Sequence, residues 1–214
     1  CGVSLVLAIL VAVPLGIFQA VKRHTVADNV VTTVVFTTYS MPSFFVAFLL
    51  IQFLALHWHV FPSEASQSSS TFVVFTDPRA MFLPVATLTA ISVALYSRYQ
   101  RSAALDQLAQ DYMRVARAKG LSQRQVLRRH LLRNACLPLI NLIGLSLPLL
   151  LAGNLVVESV FNYPGLGLLF FHALGDEDYP VLLGYTLVCG ALTVLGNLIA
   201  DVVMSSADPR ISRT

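Results

Sequence analysis

Charged residues are scarce in this 214-residue chain, and those present are clustered. Only 12% of the residues are Asp, Glu, Lys or Arg, whereas about 25% is usual in a soluble domain. Between the charged clusters lie apolar stretches of about 20 residues, the length of helix that crosses a bilayer core of ~30 Å. The composition argues against a soluble globular protein and predicts an all-α, polytopic membrane protein.

The sequence also lacks the residue spacings typical of disulfide, metal and ATP-binding sites. The three cysteines, Cys1, Cys136 and Cys189, share no CxxC spacing, which argues against a disulfide or zinc framework. His57 and His59 have no third ligand nearby, so a metal site is not expected there. No GxxxxGK[ST] motif occurs, so this chain should not bind ATP itself. We expect no catalytic residue, no cofactor site and no metal site in this chain.

Five apolar stretches predict five transmembrane helices. They are Val3–Ala20, Val30–Leu56, Ala80–Tyr96, Leu137–Val157 and Val181–Met204. Met41 and Pro42 lie in the middle of the second stretch, where a kink or a broken helix is expected. The polar segments 57–79 and 158–180 would connect spans on one side of the membrane, and 98–138 would connect spans on the other.

The basic residues predict the orientation of these spans. Thirteen of the fourteen Lys and Arg residues fall in the loops 21–29 and 98–136 and in the C-terminal tail. By the positive-inside rule, these loops and the C-terminus are cytoplasmic. With five spans the N-terminal end then lies outside, so we expect an additional span before Cys1.

The segment from Arg98 to Pro138 holds nine of the fourteen basic residues and is amphipathic. Apolar residues recur at spacings of three and four from 105 to 116, which predicts a helix with one apolar face. Gly120 is expected to end that helix, and Ser122 with Gln125 predicts a capping box that starts another. On these residues alone, two interpretations remain open: a helix pair that binds anionic lipid, or a docking element whose small residues let a soluble partner approach.

The centre of this segment resembles a known signature. The run Asp111-Tyr-Met-Arg-Val-Ala-Arg-Ala-Lys-Gly-Leu-Ser122, followed by His130-Leu-Leu-Arg-Asn-Ala135, is similar to the cytoplasmic loop of ABC-importer permeases. The similarity is to the B-type permease of the dipeptide, oligopeptide and nickel group. It continues in Met41-Pro-Ser-Phe44, Glu158-Ser-Val-Phe-Asn-Tyr-Pro-Gly-Leu-Gly167 and Asp208-Pro-Arg210, and so extends over nearly the whole chain. Leu168 departs from the pattern, which usually has Arg there.

The resemblance implies the fold of a type I ABC-importer permease that lacks its first helix, with 1–214 as a single transmembrane domain. It implies a transport protein of a prokaryotic cell membrane, not itself an enzyme, that forms half of a translocation pathway for peptides or related small solutes. The implied partners are a second homologous permease, two ABC ATPase subunits that use ATP and Mg, an extracytoplasmic substrate-binding protein and membrane lipid, with no nucleic acid.

Three groups of residues receive expected roles. ATPase coupling is expected of Asp111, Arg114, Ala116, Arg117, Ala118, Lys119, Gly120 and Leu121, so that Ala116→Asp should uncouple ATP hydrolysis from transport. Contact with the binding protein is expected of Glu158, Asp176, Glu177 and Asp178, in a segment that contains no Lys or Arg. The pathway candidates are Asn141, Ser146 and Asn154, since polar residues in a span are costly, with interhelical hydrogen bonding as the alternative.

Two other classes of function remain open on the residues alone. A secondary transporter or channel would work without ATPase partners, and the basic loop argues against it. An intramembrane enzyme would need paired catalytic groups at matching depths, and Asp201 has no second intramembrane carboxylate in an obvious matching position. Among importer substrates, dipeptides, longer peptides, glutathione and nickel complexes all remain candidates.

Overall fold

The structure, a computed structural model, describes residues 1–65 and 77–207, without the side chains of 145, 147–152, 200, 201 and 203–207. Part of the expected connecting segment 57–79, the tail motif at 208–210 and the side chain of Asp201 therefore lie outside the described residues. All of the secondary structure in the described part is helical.

The first three helices contain the predicted break. Helix α1 is Gly2–Val21, α2 is Val26–Ser40, and α3 is Ser43–Leu50, which continues as a π-helical turn over Ile51–His57. Met41 takes an extended conformation with ψ 134°, because a residue that precedes a proline is disfavoured in helical geometry. The axes on either side of Met41 and Pro42 differ by 108°, which confirms the expected break.

Helix α4, Pro78–Leu108, is the longest helix of the described residues. Asp77 caps its start, where its Oδ1 accepts hydrogen bonds from the backbone N–H groups of Arg79 and Ala80 at 3.0 and 3.3 Å. Its 31 residues extend about 45 Å at 1.5 Å per residue. The helix therefore continues well beyond Tyr96, where the predicted span ended.

Three short helical pieces follow α4. Helix α5 is Asp111–Ala118, and α6 is Gln123–Val126, which passes through a π-helical turn at Leu127–Leu131 into α7, Leu132–Ala135. We call the end of the molecule that holds these pieces the basic end, and the end where α4 begins the far end.

The remaining helices correct one predicted boundary. Helix α8 is Leu137–Ala152, α9 is Leu155–Val160, α10 is Leu166–Gly175 and α11 is Tyr179–Ala207. The predicted fourth span reached Val157, but Gly153 adopts a positive φ of 86° and ends α8 at Ala152. Asn154 then caps α9, so 153–157 belongs to a new element.

The helices match the five predicted spans unequally. Three helical segments are each long and apolar enough to cross a membrane: α1, α4 and residues 179–199 of α11. The bent pair of α2 with α3 makes a fourth if the pair forms one span. Helix α8 has 16 residues and extends only about 24 Å at 1.5 Å per residue. It is thus shorter than a bilayer core of ~30 Å.

Among the side chains that the structure describes, three buried clusters hold the helices together. One at the basic end includes Met113 and Leu131, one at the far end includes Leu83 and Phe161, and the third lies along α1 and α4. At the crossing of α1 and α4, a Cβ on Gly16 would lie 2.7 Å from the carbonyl oxygen of Ser97. Glycine is therefore required for this close approach of the two backbones.

Candidate functional site

Helix α5 and the turn after it present an exposed basic surface. Its residues, which we call the coupling surface, are Asp111, Arg114, Val115, Arg117, Ala118, Lys119 and Gly120, all exposed. Val115 is 51% exposed and places an apolar side chain among three cations. Nη1 of Arg114 lies 3.5 Å from Oδ1 of Asp111, with the two side chains 76% and 92% exposed, so this ion pair is weak. These cations remain available for charge-assisted hydrogen bonds to an acidic partner.

The opposite face of α5 is buried in the chain's own core. Met113 is 0% and Ala116 5% exposed, and both belong to the cluster that includes Ala104 of α4 and Leu131. Ala116 is therefore not on the exposed face of α5, and its role in ATPase coupling stays a prediction. Residues three apart share one face of a helix, so Ala116 lies beside Met113 and faces away from the arginines. Leu121 is half-buried and packs against the same cluster.

The hydroxyl of Tyr112 connects α5 to two other helices. It donates a hydrogen bond to Oε1 of Gln107 at 2.7 Å and accepts one from Nδ2 of Asn134 at 3.0 Å. Gln107 lies in the last turn of α4, and Asn134 lies in α7. The coupling surface is thus attached to a long helix and to the segment that leads into α8.

The turn between α5 and α6 follows the predicted chemistry. Gly120 has φ 78°, in the left-handed region that favours glycine. Ser122 and Gln125 form the expected capping box, with the Ser122 N–H donating to Oε1 of Gln125 at 2.9 Å and the Gln125 N–H donating to Oγ of Ser122 at 3.4 Å. The helix predicted over 105–116 is interrupted, however, because α4 ends at Leu108 and α5 begins only at Asp111.

Glu158 is buried at the far end and is 9% exposed. Its Oε1 accepts a hydrogen bond from the backbone N–H of Asn154 at 3.0 Å, and its Oε2 accepts from Gly167 and Leu168 at 2.8 and 3.1 Å. The carboxylate therefore satisfies N–H groups at the start of α10, a favourable place for a negative charge. Burial raises the pKa of Tyr163, and the charge of Glu158 raises it further. The Glu158 oxygens are thus used within the chain, and contact between Glu158 and a binding protein stays a prediction.

The other three acidic residues lie in the turn between α10 and α11. Asp176, Glu177 and Asp178 are all exposed. Glu177 has φ 54°, and Oδ1 of Asp178 accepts a hydrogen bond from the Val181 N–H at 3.2 Å. This turn presents a compact acidic group at the surface.

The three pathway candidates have different surroundings. The Ser146 hydroxyl donates to the carbonyl of Leu142 in its own helix at 2.8 Å. Oδ1 of Asn154 accepts from the Val157 N–H at 3.0 Å, which is a helix cap. Asn141 is exposed on α8. Ser146 and Asn154 thus have local structural roles, and a pathway role for the three stays a prediction.

A polar cluster that the sequence did not predict lies between α1, α2 and α4. Gln19, Asp28 and Gln100 are each at most 2% exposed, and Nη2 of Arg101 lies 2.9 Å from Oδ2 of Asp28. A cavity of about 400 Å³ lies beside this cluster and is partly lined by Arg98. The available signal was Gln19, an amide inside the first predicted span.

Comparison with known proteins assigns a family to this chain. Residues 12–213 match the family described as binding-protein-dependent transport system inner membrane component. The oligopeptide transport system permease protein AppB of Bacillus subtilis (strain 168) is 39% identical over 98% of this chain and 66% of its own length. The dipeptide transport system permease protein DppB of Escherichia coli (strain K12) is 34% identical over 97% of this chain and 68% of its own length. The chain thus spans about two thirds of these relatives.

A solved structure supports the fold. An inward-facing conformation of the MetNI methionine ABC transporter aligns with a TM-score of 0.74 and 19% identity, covering 96% of this chain and 90% of that one. Proteins of this family are transport subunits and not enzymes. With a family model that matches nearly its whole length, the chain belongs to the binding-protein-dependent transport system inner membrane components of ABC importers.

Proposed function

We propose that this chain is the permease subunit of an ATP-driven importer and that an ATPase subunit binds its coupling surface on the cytoplasmic side of the membrane. The observation that carries the proposal is the two-sided environment of α5. One face exposes Arg114, Arg117 and Lys119, while the other buries Met113 and Ala116 in the core. A partner that binds the exposed face therefore acts on an element that is packed against α4.

The attachment of α5 suggests how its motion reaches the membrane helices. The Tyr112 hydroxyl bonds to Gln107 of α4 and to Asn134 of α7. When two ATPase subunits close on ATP and Mg, α5 would move as a rigid body and carry α4 and α7 with it. Such rigid-body motion is a common route between two states of a transporter. This chain supplies the moving element, and its partners hydrolyse the ATP.

Solute class and delivery follow from the relatives and from the acidic turn. The relatives are named for oligopeptide, dipeptide and glutathione transport, so we infer that the transported solutes are peptides or related small molecules.

A substrate-binding protein would dock at the exposed turn of Asp176, Glu177 and Asp178. A second permease subunit would complete the pathway, and exposed apolar residues along α11, such as Leu187 at 74%, would face it or lipid.

Charge reversal on the coupling surface tests the proposal. In the importer reconstituted in proteoliposomes with its binding protein, Arg114→Glu combined with Arg117→Glu should lower ATP-driven uptake by about 100-fold, which corresponds to the loss of two charge-assisted contacts. The same variant should retain less ATPase subunit through affinity purification. The matched control is Lys22→Glu with Arg23→Glu, two exposed cations of the basic end outside the coupling surface.

The coupling variant and its control can give three different results. Loss of uptake and of ATPase retention in the coupling variant, with both preserved in the control, supports the proposal. Unchanged uptake in the coupling variant contradicts it. Equal losses in both variants would mean that general positive charge at this end, as in lipid binding, accounts for the effect and would also contradict it.

A further inference from the structure

The cavity at the basic end is lined by polar and apolar side chains from three helices. Its lining includes Gln19 of α1, Thr32 and Tyr39 of α2, and Arg98 and Ser102 of α4. A volume of about 400 Å³ lies within the range of small-molecule sites, roughly 300–1,000 Å³. The cavity is therefore large enough for a solute of the size of a short peptide.

Arg98 is held in this cavity by two aromatic rings, and within the described part of the chain its guanidinium donates no side-chain hydrogen bond. Its Cζ lies 4.4 Å from the ring centroid of Phe36 and 4.3 Å from that of Tyr39. These contacts hold the guanidinium by cation–π attraction to two rings, and such attraction does not require a hydrogen-bond acceptor. Among the residues that the structure describes, no carboxylate forms an ion pair with Arg98. An edge of free, parallel N–H groups is the geometry that binds a carboxylate in a bidentate manner.

Arg101, three residues later, differs in this respect. Its Nη2 is paired with Asp28 at 2.9 Å, and Asp28 also accepts a hydrogen bond from Thr32. The charges of Arg101 and Asp28 cancel, so Arg98 supplies the net positive charge of the cavity. Gln19 also lines the cavity and is 1% exposed, yet its Oε1 has no hydrogen-bond partner within the described residues.

The adjoining face of α2 is polar although α2 belongs to a membrane-spanning pair. Asn29, Thr33, Thr37 and Ser40 are exposed, and their spacings of four, four and three place them on one helical face. Thr37 and Ser40 also line a second depression, which shares Phe36 with the cavity. Thr33 and Ser40 donate their hydroxyls to carbonyls of their own helix at 2.9 Å each. The side chains of Asn29 and Thr37 are therefore the groups of this face that favour water over lipid.

We propose that the cavity is a section of the translocation path in which Arg98 binds the carboxylate of the transported solute. The proposal rests on the proposed function and extends it, because it names the group that recognises the solute and the chemical class that it selects. The polar face of α2 continues the path from the cavity to the helix break at Met41 and Pro42.

Cysteine labelling tests whether the cavity holds water and favours anions. In a background with Cys1, Cys136 and Cys189 replaced by alanine, Ser102→Cys places a thiol in the cavity one helical turn after Arg98. The assembled importer in nanodiscs, without nucleotide, is treated with methanethiosulfonates that carry either a sulfonate or a trimethylammonium group. The control is Leu10→Cys, 66% exposed on α1 and outside the cavity.

We expect Ser102→Cys to react about tenfold faster than the control, because only a thiol in water forms the reactive thiolate. Arg98→Gln should lower the ratio of sulfonate to ammonium rates roughly sevenfold, the effect of removing one charge ~7 Å away in water. Arg98→Lys keeps the charge and should preserve that ratio. Reaction of Ser102→Cys no faster than the control would show a lipid-filled or closed cavity and overturn the proposal. An unchanged ratio in Arg98→Gln would overturn the role of Arg98.

A second arm tests carboxylate recognition with trialanine and its C-terminal amide. Millimolar trialanine should slow sulfonate labelling of Ser102→Cys about threefold, while the amide should not. Equal protection by the two peptides, or protection by neither, would overturn carboxylate recognition. Because no nucleotide is present, this result does not depend on ATPase coupling. The labelling result can therefore support the cavity proposal even if the coupling variants contradict ATPase binding, and the coupling variants can support ATPase binding even if the labelling contradicts the cavity proposal.

Discussion

Oε2 of Glu158 lies 2.8 Å from the backbone nitrogen of Gly167, nine residues further along the chain. Its other oxygen accepts the N–H of Asn154. One buried carboxylate thus connects the start of α9 to the start of α10. The far-end segment is a structured cap with a defined internal geometry, and its surface charge comes from the turn at 176–178.

Removing the charge of Glu158 should destabilise this cap. Glu158→Gln replaces one carboxylate oxygen, a hydrogen-bond acceptor, by an amide NH₂ group that faces backbone N–H donors. We expect a loss of about 2 kcal/mol in unfolding free energy, measured as a lower midpoint of thermal unfolding in detergent. Asp176→Asn, which neutralises an exposed carboxylate of the same segment, is the control. Equal midpoints for the two variants would contradict the structural role of Glu158.

The glycine at 167 should be required for steric reasons. A Cβ there would lie 2.6 Å from Cα of Leu155 and 3.0 Å from Oε2 of Glu158. Gly167→Ala should therefore force the backbones apart and cost about 2 kcal/mol. Gly184→Ala is a matched control, since nothing lies within 4 Å of a Cβ there. If thermal unfolding shows both variants to be as stable as the original chain, the close packing of α9 against α10 is not needed for stability.

Local chemistry was predictable from the sequence because its causes lie within a few residues. Pro42 disfavours helical geometry at Met41, and Gly120 supplies the positive φ in the turn that follows α5. The capping box of Ser122 and Gln125 is likewise complete within four residues. These features needed no knowledge of the tertiary structure.

Burial was less predictable because its causes are distant in the chain. Ala116 was expected on the docking surface, yet it is buried in one cluster with Ala104 and Leu131. Glu158 was expected at the surface, yet the N–H of Gly167 turns its carboxylate inward. In both cases the deciding partner lies nine or more residues away, where the periodicity of a single segment carries no information.

Two alanines on α5 should respond oppositely to the same substitution. Ala116→Asp places a carboxylate in the core, where an unpaired charge is costly, so the protein should be poorly folded and recovered in low yield. Ala118→Asp changes an exposed residue of the coupling surface and should fold normally while uptake falls several-fold. Yield by size-exclusion chromatography and uptake in proteoliposomes measure the two effects. Normal folding of Ala116→Asp would contradict the burial of that face.

The ion pair of Asp28 and Arg101 should matter to the contact between α2 and α4. Asp28→Asn leaves Arg101 without its partner at a side chain that is only 27% exposed, and we expect a loss of about 3 kcal/mol. The double variant Asp28→Asn with Arg101→Gln should lose less than the sum of the single variants. Thermal unfolding of all three variants measures this coupling. Strict additivity would mean that the pair contributes no interaction energy.

Tyr112→Phe separates the attachment of α5 from the binding of its partner. The substitution removes the hydroxyl that joins Gln107 to Asn134 and leaves the exposed cations of the coupling surface unchanged. Loss of these bonds should cost about 1 kcal/mol of stability. Because α5 would then lose its side-chain hydrogen bonds to α4 and α7, ATP hydrolysis should persist while solute uptake per ATP falls.

The measurement is the ratio of uptake to hydrolysis in proteoliposomes, with Tyr179→Phe as the control at a tyrosine 66% exposed at the start of α11. A charge reversal on the coupling surface acts differently, since it should reduce partner retention together with uptake. An unchanged ratio in Tyr112→Phe would assign the transmission of movement to Met113 and the apolar cluster around it, and Met113→Ala would then be the variant that lowers the ratio.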